Sequence, residues 1–116
     1  MPPSGGGDSG GETPPASTPI DRPFALDGNN SSPAGIVYAD NRFYVVDSTD
    51  DYVYAYTSSG PYVVLDSGFA LNSQNSTPRG ITYANNRFYV VDSSDDYVYA
   101  YTSSGQRDAA SDFALN

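Results

Sequence analysis

Internal repetition constrains the fold of this chain more than any other feature. Residues 33–60 and 78–105 are two stretches of 28 residues that differ only at Ala34/Arg79, Val37/Thr82, Asp40/Asn85 and Thr49/Ser94. The triplet Phe-Ala-Leu also recurs, beginning at Phe24, Phe69 and Phe113. Near-identical stretches fold alike, so the role of a side chain in one repeat predicts its role in the other.

The repeats follow a segment of different composition. Residues 1–20 are rich in Pro, Gly and Ser, which predicts a leader or linker without a packed core. Residues 21–116 then hold the two repeats, at about 24–68 and 69–112, and residues 113–116 are expected to overhang as a terminal strand.

Within each repeat, short runs of β-branched and aromatic residues alternate with Asn, Asp, Ser and Gly, which predicts strands separated by turns. In the first repeat the strands centre on residues 35–38, 42–47 and 52–57. A weaker fourth strand lies at residues 62–65 or at the Phe-Ala-Leu triplet. Both faces of these strands carry apolar groups, as in a sheet covered on both sides. We therefore predict an all-β protein of two four-stranded antiparallel, propeller-type blades.

Composition excludes several classes of function. The chain has no Cys, no His and a formal net charge of −9. It therefore lacks thiol chemistry and the commonest general base, and its acidity opposes binding to nucleic acid or to anionic membranes. No apolar run is long enough to insert into a membrane. We predict a non-enzymatic, extracellular or cell-surface protein without a required cofactor.

A family resemblance rests on residues found in both repeats. In the second repeat they are Pro78-Arg79-Gly80-Ile81, Arg87–Asp92, the alternating tyrosines from Tyr97 to Tyr101, and Ser104-Gly105. This pattern resembles an NHL-type β-propeller repeat. The resemblance implies four-stranded blades around a central axis that recognise proteins, carbohydrates or other ligands. The sequence departs from the family because two blades cannot close a ring.

Two blades are expected to be incomplete as a monomer. Each end of the pair exposes an apolar sheet face, and leaving both faces wet forfeits on the order of 10 kcal/mol. We predict self-association of identical chains into a ring or a filament, helped by edge-strand residues at the termini, namely Phe24, Leu26, Phe113 and Leu115. Two alternatives stay open: a lectin-like module that binds glycans or another protein, and a piece of a longer propeller.

Aspartates in the loop after the second strand form the strongest chemical pattern in each repeat. Carboxylates at this density can bind calcium, although Asp also favours turns for its geometry alone. The residues are Asp47, Asp50, Asp51, Asp92, Asp95 and Asp96. Asp47 and Asp92 are expected to cap loop N–H groups and to pair with Arg42 and Arg87.

Two further sets of residues are candidate sites. A tyrosine ladder on the third strand of each repeat suits packing between blades or stacking on a ligand; its members are Tyr52, Tyr54, Tyr56, Tyr97, Tyr99 and Tyr101. The acceptor pattern for N-glycosylation occurs at Asn29, Asn30 and Asn75.

Overall fold

The residues that the structure describes form eight β-strands in two groups of four. The structure is a computed structural model and describes residues 23–59 and 62–116; the predicted leader lies outside the described residues. The strands are β1 Pro33–Ala39, β2 Arg42–Asp47, β3 Tyr52–Ser59, β4 Tyr62–Ala70, β5 Pro78–Ala84, β6 Arg87–Asp92, β7 Tyr97–Thr102 and β8 Phe113–Ala114. A 3-10 turn at Ala109–Ser111 precedes β8, and no α-helix occurs among the described residues.

Two-residue turns join the first two strands of each sheet. Asp40 and Asn41 have φ of 51° and 64°, and Asn85 and Asn86 have φ of 53° and 63°. Both central residues of a type I′ hairpin turn need positive φ, and Asn and Asp adopt it most easily among residues with a side chain. These turns therefore fix the register of β1 on β2 and of β5 on β6.

The strands form two four-stranded antiparallel sheets, and neither closes into a barrel. The first sheet has the order β1-β2-β3-β4 and the second the order β5-β6-β7-β8. The registers are equivalent: Tyr38 lies opposite Phe43 in the first sheet, and Tyr83 lies opposite Phe88 in the second. The predicted all-β fold with two four-stranded antiparallel sheets is therefore confirmed.

The fourth strands differ between the repeats because their sequences diverge after Gly60 and Gly105. In the first sheet β4 runs continuously and includes both segments that the sequence offered as alternatives. In the second sheet β8 has only two residues, and it pairs with β7 through Tyr97–Ala114 and Val98–Phe113. The predicted overhang at residues 113–116 is thus corrected, since Phe113 and Ala114 complete their own sheet.

Each sheet has two faces, named here by their residues. The front face bears Ile36, Tyr38 and Phe43 in the first sheet and Ile81, Tyr83 and Phe88 in the second. The back face bears Val37, Tyr44 and Val46 in the first sheet and Thr82, Tyr89 and Val91 in the second. Cross-strand pairing places the members of each set on one side, because directly opposite residues point the same way.

The core lies between the back face of the first sheet and the front face of the second, a contact called here the internal junction. Tyr44, Val46 and Phe88 belong to one buried cluster, and the rings of Tyr44 and Phe88 are 4.5 Å apart. Burial of large aromatic rings is the main stabilising contribution available to so small a domain.

A glycine pair permits the two sheets to approach closely at this junction. A Cβ atom at Gly35 would lie 2.9 Å from the Cα of Gly80, closer than real Cβ atoms approach a neighbour. The absence of a side chain at residue 35 is therefore a condition of the packing.

The chain divides into two compact units. Residues 26–57 and 65–116 make the unit that contains the internal junction. Met1–Ala25 with Ser58–Val64 makes the other, of which residues 23–25, 58–59 and 62–64 are described. In that smaller unit Tyr62 and Val64 are exposed.

Candidate interaction faces

Asp47 and Asp92 hold together the loop that follows the second strand of each sheet. Both are fully buried. The carboxylate of Asp47 accepts hydrogen bonds from the backbone N–H groups of Ser32, Thr49 and Asp50 at 2.8–3.0 Å. These contacts give a hydrogen-bond partner to two N–H groups of the loop and to one that lies just before β1.

The equivalent carboxylate in the second repeat is similarly bonded. Asp92 accepts from the N–H groups of Thr77, Ser94 and Asp95 and from the hydroxyl of Ser94. Burial acts to raise the pKa of Asp92, but these hydrogen bonds outweigh it and hold the pKa below its ordinary value. Asp92 is therefore a charged structural group, and its oxygens are engaged by the loop.

Asp50 and Asp95 serve as acceptors for tyrosine. The hydroxyl of Tyr54 donates to Asp50, and the hydroxyl of Tyr99 donates to Asp95. The hydrogen bond to Asp50 is the largest cause of the raised pKa of Tyr54, and burial is the largest cause for Tyr99. Both phenols therefore stay protonated and donate over the physiological range.

The aspartates do not assemble into a metal site. Among residues 23–59 and 62–116, no three Asp, Glu, His or Cys side chains are arranged to hold a metal ion. The loop N–H groups and the tyrosine hydroxyls instead engage carboxylate oxygens of Asp47, Asp50, Asp92 and Asp95, which favours the turn interpretation of these loops over calcium binding.

Asp51 and Asp96 occupy the last position of the same loops, with φ of 54°. The Asp51 side chain is half-buried, and its Oδ1 atom has no hydrogen-bond partner. Burial, and then the negative charges of Asp92, Asp47 and Asp50, raise the pKa of Asp51. Because Asp92 belongs to the second repeat, this repulsion crosses the internal junction.

The arginine partners differ from the sequence-based prediction. Arg42 pairs with Asp66, and Arg87 pairs with Asp108, each at 2.5 Å. The expected pairing with Asp47 and Asp92 was wrong because Arg42 and Arg87 lie at the opposite ends of the same strands. Each arginine instead reaches an acid that follows the third strand.

The tyrosine ladders carry a buried polar contact that the sequence analysis missed. The hydroxyl of Tyr101, which is 1% exposed, accepts from the Asn75 side chain and from the backbone N–H of Asn72, both at 3.0 Å. Tyr56 accepts in the same way from Asn30 and from the N–H of Asp27. The signal was present in the repeat, because the Asn and the Tyr both recur after 45 residues.

This contact bears on the predicted glycosylation. Asn30 and Asn75 are buried, and both donate their side-chain amide to a tyrosine. A glycan on either amide requires the side chain to leave its site, so burial opposes modification in the folded chain. Asn29 is exposed and stays a prediction.

The remaining ladder residues divide between the repeats. Tyr99 belongs to the buried cluster of the internal junction, and Tyr97 packs against it. Tyr54 is also buried, and Tyr52 is half-buried. In the second repeat the ladder is thus a packing surface between the two sheets.

The front face of the first sheet exposes residues whose equivalents are covered. Ile36 and Tyr38 are 57% and 59% exposed. Their equivalents, Ile81 and Tyr83, are half-buried against the core. Likewise, Phe43 is half-buried where Phe88 is fully buried.

The back face of the second sheet is likewise more exposed than the equivalent face of the first sheet. Tyr44 and Val46 are buried at the internal junction, whereas their equivalents Tyr89 and Val91 are half-buried. A groove of about 540 Å³ runs over this face and is lined by Gly80, Thr82, Asn85, Tyr89, Val91 and Phe113, among others. The lining is mainly apolar, as in surfaces that take up a partner or ligand.

The predicted edge residues lie in different surroundings. Phe113 and Leu115 are 48% and 43% exposed. Phe24 and Leu26 are half-buried. The equivalent residues in the middle of the chain, Phe69 and Leu71, pack in or against the core of the internal junction.

Comparison with protein-family models and with curated proteins gives no match to this sequence. The structure also has no helix, among its described residues, that is long and apolar enough to cross a membrane.

Proposed function

We propose that this protein is a non-enzymatic, extracellular repeat scaffold of propeller type that associates with further copies of itself. The observation that carries the proposal is the exposure of apolar side chains on the two outer faces, namely the front face of the first sheet and the back face of the second. Residues such as Ile36 and Tyr38 lie in water, although their equivalents in the second repeat are covered at the internal junction. Apolar patches of this kind mark an interaction surface.

The propeller interpretation is supported by the arrangement of the sheets. Two four-stranded antiparallel sheets pack face to face, and both faces of each carry apolar side chains. Such sheets suit stacking in series, as the blades of an NHL-type propeller do. The extracellular assignment rests on the acidic composition of the chain.

The proposal is tested by measuring the mass of the chain in solution over a range of concentrations. Mass photometry or sedimentation is expected to show oligomers in equilibrium with the 12.3 kDa chain. Higher ionic strength should favour the oligomers, because salt screens the repulsion between chains of charge −9 while the apolar contacts persist. A single species of 12.3 kDa under all conditions would contradict self-association. If oligomers form, electron microscopy distinguishes rings from filaments.

The groove on the back face of the second sheet favours a second candidate function, a lectin-like or protein-binding module. Tyr89 and Val91 offer an aromatic and an aliphatic surface there, with Asn85 as a polar contact. Glycan-array binding that is lost on Tyr89→Ala, by a chain that stays monomeric, would support this candidate over self-association. A monomer that binds nothing on the array would instead fit a piece of a longer propeller.

A further inference from the structure

The internal junction shows how a back face and a front face of these sheets pack on each other. It joins the back face of the first sheet to the front face of the second, and its members form a single buried cluster. The two outer faces are equivalent to that pair of surfaces over the first three strands of each sheet, since the residues of those strands and of the turn between the first two recur except at Arg79, Thr82 and Asn85. Each outer face thus matches one side of a contact that the chain already makes.

We propose that the internal junction is repeated between chains, with the front face of the first sheet in one copy packed on the back face of the second sheet in the next. This inference rests on the proposed self-association, and it specifies both the partner surface and the register.

Individual contacts follow from the equivalence of the repeats. Phe43 of one copy packs on Tyr89 of the next, as Phe88 packs on Tyr44 at 4.5 Å inside the chain. The groove beside Tyr89 receives Phe43 together with its neighbours on the front face. The ring of Tyr38 lies 4.9 Å from that of Phe43, so these two side chains enter as one unit.

A polar contact at the rim is also repeated. Inside the chain the hydroxyl of Tyr83 donates to the carboxylate of Asp40 at 3.5 Å. The equivalent pair between copies is Tyr38 and Asn85, and the side-chain oxygen of Asn85 replaces the carboxylate as the acceptor. Asn85 lines the groove, which places it where this contact requires it.

Three of the four differences between the aligned stretches lie at the back face of the second sheet or at its rim. Ala34, Val37 and Asp40 stand at the internal junction where the outer face has Arg79, Thr82 and Asn85. Arg79 in the position of Ala34 adds one positive charge, and Asn85 in the position of Asp40 removes one negative charge. For a chain of charge −9 that binds its own copy, both changes reduce electrostatic repulsion.

The glycines provide the sharpest test of the register. Gly80 occupies the position of Gly35, and a Cβ built on Gly80 meets only the Cγ1 atom of Val91, at 3.6 Å. An alanine therefore fits at residue 80 in the isolated chain. In the repeated junction the same methyl group would meet the Cα of Gly35 in the next copy, as a Cβ on Gly35 meets Gly80 at 2.9 Å.

Two variants interrupt opposite faces. Gly80→Ala should raise the dissociation constant roughly tenfold or more, as expected for overpacking a tight contact. Ile36→Glu places a charge on the front face, where Ile36 is now exposed, and should block the other side of the junction. Neither change should lower the melting temperature of the monomer appreciably. Gly28→Ala is a neutral control, since a Cβ there has nothing within 4 Å.

The matched control for Gly80→Ala is Gly35→Ala. It adds the same methyl group on the inner side of the junction, so it should lower the melting temperature of the monomer itself. This difference between two equivalent positions follows from the register and not from a general cost of replacing glycine in a strand.

Mixing the two face variants decides the arrangement. Each variant alone should remain at 12.3 kDa at a concentration where the wild type assembles. An equimolar mixture should form dimers and nothing larger, because the intact front face of Gly80→Ala binds the intact back face of Ile36→Glu. If the wild type assembles but the mixture yields no dimer, or Gly80→Ala assembles as the wild type does, the register is wrong while the proposed function stands. A wild type that remains monomeric overturns the proposed function itself.

Discussion

The buried hydroxyl of Tyr101 gives a prediction whose size follows directly from the structure. Tyr101→Phe removes one oxygen atom and keeps the ring in the core. The lost oxygen accepts two hydrogen bonds, from the side-chain amide of Asn75 and from the backbone N–H of Asn72. Both donors remain when the acceptor is removed.

The expected cost is the desolvation of those two donors. A buried donor left without a partner costs about 1–3 kcal/mol. Asn75 is fully buried, so its amide cannot reach water, whereas Asn72 is half-buried and recovers part of its loss. Tyr101→Phe should therefore lower the free energy of unfolding by about 2–4 kcal/mol.

Urea denaturation at a fixed chain concentration measures this change, because association alters apparent stability. Tyr97→Phe is the matched control: Tyr97 is on the same strand, and no hydrogen bond of its hydroxyl is found in the described part of the chain. This control should change stability by less than about 0.5 kcal/mol. Asn75→Ala should cost less in the Tyr101→Phe background than alone, since the donor is already unpaired.

Equal midpoints and equal m values for Tyr101→Phe and Tyr97→Phe would contradict this prediction. That result would mean that water replaces the lost acceptor, and the site would then not be sealed from solvent. A changed m value would instead show that the unfolded or native state had altered, and the comparison of midpoints would not apply.

Three further predictions concern charge. Asp51→Asn should raise the free energy of unfolding at neutral pH, because burial and three nearby carboxylates disfavour the charged form of Asp51. The gain should vanish at low pH, where the side chain at residue 51 is neutral in both variants. Asp96→Asn is the control: it changes the exposed equivalent residue, which has the same φ, and should show no such gain. Asp92 has a pKa below its ordinary 3.8, so the stability that its charged form contributes is complete above pH 3.8 and should be lost as the pH falls through the lowered pKa. Acid titration followed by circular dichroism, with Asp92→Asn as the comparison, tests this loss. Arg107 donates to the carboxylate of Asp112, which is 1% exposed, so Arg107→Gln leaves that carboxylate without its cation and should cost about 3 kcal/mol in thermal unfolding. Arg87→Gln breaks the partly exposed pair with Asp108 and should cost far less, with a loss that salt diminishes further.

The local structure was largely predictable because it depends on neighbouring residues. Alternation of aromatic and β-branched residues with Asp-Asn or Asn-Asn turns predicted β1, β2, β5 and β6, and each turn has the positive φ that its residues permit. The capping role of Asp47 was also predicted, since an Asp at a strand end finds loop N–H groups within a few residues. Such contacts can be predicted without knowing where residues distant in the sequence lie.

Contacts between distant segments were not predictable with the same rules. Arg42 pairs with Asp66 and not with Asp47, because only the paired strands show which acid lies beside it. The buried hydrogen bond between Asn75 and Tyr101 joins residues that are 26 apart in the sequence. It engages the side-chain amide that the glycosylation pattern marks as an acceptor. Asn in a polar loop gives no local sign of burial.

Equal residues in the two near-identical stretches were enough to predict equal local structure in the first three strands of each sheet, whereas the divergent segments that follow form different fourth strands. The side of each sheet that is covered depends instead on how the sheets pack against each other. Identical side chains at residues 43 and 88 are half-buried and fully buried, since packing depends on what lies against a face and not on the residues within it. That difference between equal sequences identifies the faces that remain for a partner.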